Sequence, residues 1–108
     1  MAYDETLAAR VRGVLGTVDW TEQRMFGGLA FMVYGHMACG VVGTELMVRL
    51  GTAAVDDALR EPHVRAMDFT GRPISTMAFV AAAGVATDDA LVSWVGRALA
   101  YATTLPPR

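Results

Sequence analysis

The chain has 108 residues, of which 54% are apolar and 19% charged, against about 45–50% and about 25% in ordinary soluble domains. The length fits one domain over residues 1–108, and so apolar a chain with a net charge of −2 excludes intrinsic disorder. All nine basic residues are arginine, and the acidic balance disfavours a surface that grips nucleic-acid phosphates. We therefore expect a folded domain with no direct nucleic-acid partner.

Cysteine usage and the N-terminal segment indicate a cytoplasmic protein. Cys39 is the single cysteine and cannot form an intramolecular disulfide, and the acidic start of the chain is unlike a basic signal peptide. The uncharged stretch 25–44 has the length of a membrane span, but five glycines interrupt it and Tyr34-Gly35 provides a turn near its middle. We interpret this stretch as a buried β-hairpin and expect no membrane partner.

The first half of the chain is predicted as one helix followed by an antiparallel meander. Asp4 caps the helix, which Gly16 ends. Residues 22–33 are predicted to form one long strand, or two pieces separated by a bulge at Gly27-Gly28. Strands 37–42 and 45–50 follow, joined by a tight turn at glycine and threonine. Three antiparallel strands are expected.

The second half begins with a short helix and a strand pair. Thr52 is the expected N-cap of a helix over 53–60, with Leu59 on its inner face, before a proline prevents its continuation. Strands 64–69 and 75–81 are expected to pair with each other across a Thr-Gly-Arg-Pro turn.

A final helix begins after its N-cap Thr87, and apolar residues recur at helical spacing from Leu91 to Ala102. The predicted order is therefore α-β(3)-α-β(2)-α. Strands joined mostly by hairpins, with the helices segregated from them, predict an α+β fold. We expect a two-layer sandwich in which helices cover one face of an antiparallel sheet.

Three segments resemble the N-terminal domain of the TfoX/Sxy family: Arg-Met-Phe-Gly-Gly-Leu-Ala-Phe-Met at 24–32, Leu-Met-Val-Arg at 46–49 and Met-Asp-Phe-Thr-Gly-Arg-Pro at 67–73. The resemblance extends over roughly residues 3–107 and implies an α-β(3)-α-β(2)-α fold similar to the type III secretion chaperones. The family's namesakes regulate natural competence with a global transcription factor, and join this domain to a helical C-terminal domain. We expect a stand-alone version that lacks this second domain.

The resemblance implies a non-enzymatic regulatory or protein-interaction module related to competence regulators. A protein partner, such as a transcriptional regulator, would follow from it. By analogy with the secretion chaperones, which form dimers, we also expect a homodimer. The family supplies no catalytic residues to carry over.

Metal binding and nucleophilic catalysis find little support in the residues. His36 and Cys39 have the spacing of half a zinc site, but only His63 is left as a further histidine and there is no second cysteine. Cys39 is predicted to share a strand face with Met37 and Val41 as a buried thiol. We expect no metal, no cofactor and no enzymatic activity.

Arginines among apolar strand residues are the candidate binding groups. Alternation along 46–50 predicts that Met47 and Arg49 lie on the face opposite the helices, and we expect Arg24 and Phe26 to join them. If Arg72 converges on the same place, the arginines could bind a carboxylate or phosphate bidentately. These five residues form the predicted ligand- or partner-binding set.

Two alternatives stay open for these residues. The arginines could instead pair with acidic residues on neighbouring strands, namely Glu22, Glu45 or Asp68. The six methionines in or beside strands could fill core gaps, or could form a face for dimerisation or partner docking. The sequence thus predicts either a protein-interaction module or a module that binds a small anion or metabolite with sheet-face arginines.

Overall fold

The computed structural model of the chain describes residues 3–25, 27–68 and 73–106. Its six strands form one antiparallel sheet in the order β1-β2-β3-β4-β6-β5. The α+β class with an antiparallel sheet is confirmed. The elements are α1 Glu5–Leu15, β1 Trp20–Met25, β2 Gly28–Val33, β3 His36–Val42, β4 Glu45–Arg49, α2 Thr52–Ala58, β5 Val64–Asp68, β6 Pro73–Val80, a 3-10 helix Ala82–Val85 and α3 Asp88–Ala102.

Residues 22–33 form two strands rather than one, and the chain reverses direction between them. Met25 lies opposite Gly28 in an antiparallel pair, and Gly27 in the connection has φ +72°, which favours glycine. A Cβ on Gly28 would lie 2.2 Å from the Val41 carbonyl oxygen, so no side chain fits there. The first sheet unit therefore has four strands where the sequence predicted three.

The helix ends follow the predicted signals in α1 and α3 but not in α2. The Asp4 carboxylate accepts two backbone N–H groups of the first turn of α1, and Gly16 follows its end with φ +54°. The Thr87 hydroxyl accepts a backbone N–H of α3. In α2, Thr52 is the first helical residue and Gly51 occupies the N-cap without a side-chain hydrogen bond.

All three helices pack on the same face of the sheet. Their buried residues join strand residues such as Phe31 and Val48 in one cluster, which we call the helix-side core. Trp20 meets Phe31 edge-on, with ring centroids 5.8 Å apart. Leu59, predicted for the inner face of the second helix, lies past the end of α2 and is 40% exposed. The expected covering of one sheet face by helices is observed.

The other sheet face carries a second, smaller apolar cluster, which we call the methionine face. All six methionines that the structure describes lie on it, and none of them belongs to the helix-side core. Met47 and Met67 are fully buried, whereas Met32 and Met37 are half-buried. The cluster comprises Met25, Ala30, Met32, Met37, Val42, Met47, Met67, Ile74, Met77 and Phe79.

A β-bulge in β3 determines which residues reach each face. Phe31 pairs with Cys39 and Met32 pairs with Met37, so Ala38 is an extra residue on β3. Cys39 therefore lies in the helix-side core while Met37 belongs to the methionine face. The prediction that these two residues share a face is wrong because it assumed uninterrupted alternation.

The uncharged stretch 25–44 contributes strands, as predicted. Tyr34 and Gly35 form the two-residue connection of β2 to β3, with φ +53° and +83°, the signs that a type I′ turn requires. In the described parts of the chain, we find no helix with the length and apolar character needed to cross a membrane.

Candidate functional site

The two predicted arginines whose side chains are described lie on opposite faces of the sheet. Arg24 is the register partner of Leu29, a residue of the helix-side core. Arg49 is the register partner of Met77, which belongs to the methionine face. Because cross-strand partners share a face, the expected convergence of Arg24 and Arg49 is wrong.

The other predicted site residues divide into two groups. Met47 lies on the methionine face as predicted, but it is fully buried, so it supports the face from within. Phe26 and Arg72 lie outside the described residues. Phe69, the expected last residue of the fourth predicted strand, lies outside them too.

Glu22, an expected partner for the strand arginines, is bound by Arg12 of α1. The guanidinium donates from Nε to Oε2 at 2.6 Å and from Nη2 to Oε1 at 3.0 Å. This hydrogen bond lowers the pKa of Glu22 and raises the pKa of Arg12. Arg24, two residues further along the same face, has no carboxylate within ion-pair distance among the described side chains.

Glu45 is bound by Arg65 across the methionine face. Arg65 donates to it at 2.6 and 3.0 Å, and its guanidinium carbon lies 4.4 Å from the centre of the Phe79 ring. The pair spans from β5 over β6 to β4, so it covers one part of the methionine face. Arg49 is left without a carboxylate partner in the described part of the chain, and its guanidinium lies 5.8 Å from the Tyr101 ring centre.

The histidine and cysteine of the zinc-like spacing do not come together. Cys39 is fully buried, and burial raises its pKa to about 12. His36 is hydrogen-bonded through Nε2 to the Pro106 carbonyl instead. Among residues 3–25, 27–68 and 73–106, no group of three or more His, Cys, Asp or Glu side chains could hold a metal ion.

The tip of the β2–β3 hairpin is a candidate surface that sequence reasoning missed. Tyr34 is 45% exposed and holds a positive φ, which is costly for a residue with a large side chain. With Asp19 and Met32, it lines a cavity of about 300 Å³. A tyrosine before glycine, where asparagine is the favoured turn residue, was the available signal.

Met32, Met37 and Arg49 lie toward this same end of the methionine face. Met32 and Met37 are direct register partners on β2 and β3. Cys39 on β3 pairs with Val48 on β4. From this pair toward the hairpin tip, the next residues on the methionine face are Met37 on β3 and Arg49 on β4, so these two lie on neighbouring strands. Two half-buried thioethers therefore lie beside a cation that has no carboxylate partner among the described side chains.

A second cavity, of about 280 Å³, lies at the connection of β1 to β2. Arg24, Tyr3 and Met25 line it together with Gly27 and Gly28. Tyr3 is held there by a parallel bridge to Gly43, next to the hydrogen bond from the Asp4 amide to the Gly43 carbonyl at 2.8 Å. The cavity thus has an arginine and a tyrosine at fixed backbone positions.

Comparison with known proteins identifies the family. The family model for the TfoX N-terminal domain matches residues 14–102, which cover α1 from its last residues through to the end of α3. No curated protein and no solved structure matched the chain, so the likeness to secretion chaperones stays an implication of the family. The chain belongs to the TfoX N-terminal domain family.

Proposed function

We propose that this domain is a non-enzymatic regulatory module, related to competence regulators, that pairs with a second copy of itself through the methionine face. One observation carries the proposal: all six described methionines lie on the sheet face that no described helix covers. Flexible thioethers suit a surface that must adapt to other apolar side chains.

The open part of this face contains an exposed aromatic anchor. Met32 and Met37 are half-buried, and the exposed Tyr34 follows at the hairpin tip beside them. Its left-handed backbone costs on the order of 1 kcal/mol relative to a turn residue such as asparagine. Tyrosine is also among the residues that dominate binding energy at interfaces. A costly exposed tyrosine supports a binding role for this end of the face.

Charge placement favours a second copy as the occupant. Asp19 precedes β1, and Met32, Met37 and Arg49 follow on β2, β3 and β4, in the order of the strands across the sheet. We call these four residues the strip. Neither Asp19 nor Arg49 forms an ion pair among the described side chains.

The strip is complementary to itself under a two-fold rotation. If the two-fold axis passes between Met32 and Met37, Met32 of each copy contacts Met37 of the other copy. The same rotation places Asp19 opposite Arg49 of the partner subunit. Such reciprocal contacts are what an isologous dimer interface requires.

The residues that could carry chemistry support a non-enzymatic role. The Cys39 thiol is buried in the helix-side core, where no substrate reaches it. The described carboxylates with short contacts to arginine form ion pairs between secondary-structure elements, such as that of Glu22 with Arg12.

Light scattering with charge-reversed variants tests the proposal. Wild-type protein at micromolar concentrations should show twice the 11.5 kDa of one chain. Asp19→Arg and Arg49→Asp should each weaken the dimer because they place like charges together, and the double variant should restore it. Arg60→Asp, which changes an exposed arginine outside the strip by the same charge, is the matched control.

Two results would overturn the dimer. One is a wild-type mass that stays at that of a single chain across the concentration range. The other is a dimer that Arg49→Asp weakens no more than Arg60→Asp does, since the interface would then lie away from the strip. Even partial recovery of the dimer in the double variant supports a direct contact of Asp19 with Arg49, because two independent substitutions would weaken the dimer additively.

A further inference from the structure

The arginines of this chain divide into those that have an ion-pair partner and those that do not. The structure describes seven of the nine, and Arg24 and Arg60 are the two with neither a carboxylate nor an aromatic ring as partner in that part of the chain. Of these two, Arg24 lines a cavity. The paired arginines are Arg10 with Asp88, Arg12 with Glu22, Arg65 with Glu45 and Arg97 with Glu61.

Two backbone contacts border the cavity beside Arg24. Gly28 lies so close to the Val41 carbonyl that a Cβ would be 2.2 Å from its oxygen, which fixes the spacing of the two strands here. The bridge of Tyr3 to Gly43 anchors the opposite wall.

The described carboxylates near Arg24 already have hydrogen-bond donors of their own. Glu22 lies on the same strand face as Arg24, but its carboxylate is already taken by two hydrogen bonds from Arg12. The Asp4 carboxylate is likewise engaged, by two amides of the first turn of α1. The guanidinium of Arg24 is left without a carboxylate partner among the described side chains.

We propose that this cavity is a binding site for a small metabolite that carries an oxyanion, either a carboxylate or a phosphate. The planar guanidinium of Arg24 presents two parallel N–H donors that match such a group. Tyr3, whose hydroxyl is a hydrogen-bond donor, and the apolar Met25 also line the cavity. The cavity lies at the connection of β1 to β2, at the opposite end of β2 from Met32 and the strip proposed as the dimer interface, so it can be tested separately from the dimer.

Isothermal titration with inorganic phosphate and with citrate tests the site and distinguishes the two oxyanions. We expect at least one of them to bind wild-type protein with a millimolar or tighter dissociation constant. Arg24→Gln should weaken that binding about tenfold or more, because a charge-assisted bidentate pair is lost. Arg60→Gln removes the same charge from an exposed arginine outside the cavity and should leave binding unchanged.

Two further variants test the planar guanidinium of Arg24 and the hydroxyl of Tyr3 separately. Arg24→Lys retains the charge without the planar fork and should bind more weakly than wild type but better than Arg24→Gln. Tyr3→Phe removes only a hydroxyl and should also weaken binding. Circular dichroism of each variant without ligand shows whether it is folded.

The outcomes decide the proposal in either direction. Binding of phosphate alone or of citrate alone supports the site and identifies the oxyanion. If neither binds at millimolar concentration, or if Arg24→Gln and Arg60→Gln weaken binding equally, the proposal is overturned. Equal losses would mean that the anion responds to the overall charge of the protein and to no particular cavity.

Discussion

Met37 and Cys39 are two residues apart on β3, yet their side chains lie on opposite faces of the sheet. The extra residue Ala38 causes this, because it shifts the register between the Cys39 pair with Phe31 and the Met37 pair with Met32. Without the bulge, Met37 would enter the helix-side core. The bulge therefore completes the methionine face while it keeps the thiol buried.

Cys39 should be unreactive in the folded protein. Burial raises its pKa to about 12, so roughly one thiol in ten thousand is ionised at pH 8, and the thiolate is the reactive form. We expect negligible reaction with a disulfide reagent such as DTNB in buffer, and complete reaction in guanidinium chloride. A reaction as fast in buffer as in denaturant would show that the helix-side core opens readily.

The same thiol makes stability depend on pH in the alkaline range. The folded state keeps the proton up to about pH 12, whereas the unfolded chain releases it near the ordinary thiol pKa of about 8.5. The unfolded state therefore binds fewer protons between these values, and the free energy of unfolding falls by up to about 1.4 kcal/mol per pH unit above pH 9. Cys39→Ala should show a shallower fall in urea denaturation, since the other titrating groups are shared by both proteins.

Gly28 and Gly43 should respond differently to alanine, because different forces select glycine at each. At Gly28 the new Cβ would lie 2.2 Å from a backbone oxygen, so we expect a loss of about 3 kcal/mol or more. At Gly43 there is open space but φ is +58°, which predicts a loss of about 1–2 kcal/mol. Urea denaturation measures both, and equal losses would contradict the close approach of β2 and β3.

Tyr34→Asn should separate stability from association. Asparagine before glycine suits the two positive φ values of this turn, so we expect the monomer to gain about 0.5–1 kcal/mol. The dimer should weaken, because an exposed aromatic anchor is removed. Tyr34→Ala is the control: it removes the ring without relieving the backbone and should weaken the dimer with no gain in stability. A Tyr34→Asn protein that dimerises like wild type would remove the hairpin tip from the interface.

Local chemistry made part of this structure predictable from the sequence. Asp4, Gly16 and Thr87 act within one helical turn of themselves, and their roles were confirmed. At Gly27 the sequence predicts a bulge in a strand, whereas the structure has a reversal between two strands. Both use the left-handed backbone that glycine provides. Strand pairing decides between them, and pairing depends on residues far apart in the chain.

The face predicted for Arg24 is wrong for the same reason, whereas the face predicted for Arg49 is correct. Arg24 was expected beside Phe26 and Met47, but the reversal at Gly27 places it opposite Leu29 on the helix side. Arg49 was placed correctly because β4 alternates without interruption from one end to the other. The sequence thus predicts which sheet face a side chain occupies in a regular strand. It does not predict the face where the chain reverses or bulges.

The pair of Arg12 and Glu22 should add a modest, acid-sensitive contribution to stability. It joins α1 to β1 through two hydrogen bonds, and both side chains are about one-third exposed, so we expect about 0.5–1 kcal/mol from a double-mutant cycle with Arg12→Gln and Glu22→Gln. The hydrogen bond lowers the pKa of Glu22 in the folded protein. The contribution is therefore present above the unfolded pKa of about 4.3 and is lost as the pH falls through the lower folded value. A coupling energy that is the same at pH 7 and pH 3 would contradict the ion pair. The same cycle on the more exposed pair of Arg97 and Glu61 is the reference for an ordinary surface ion pair.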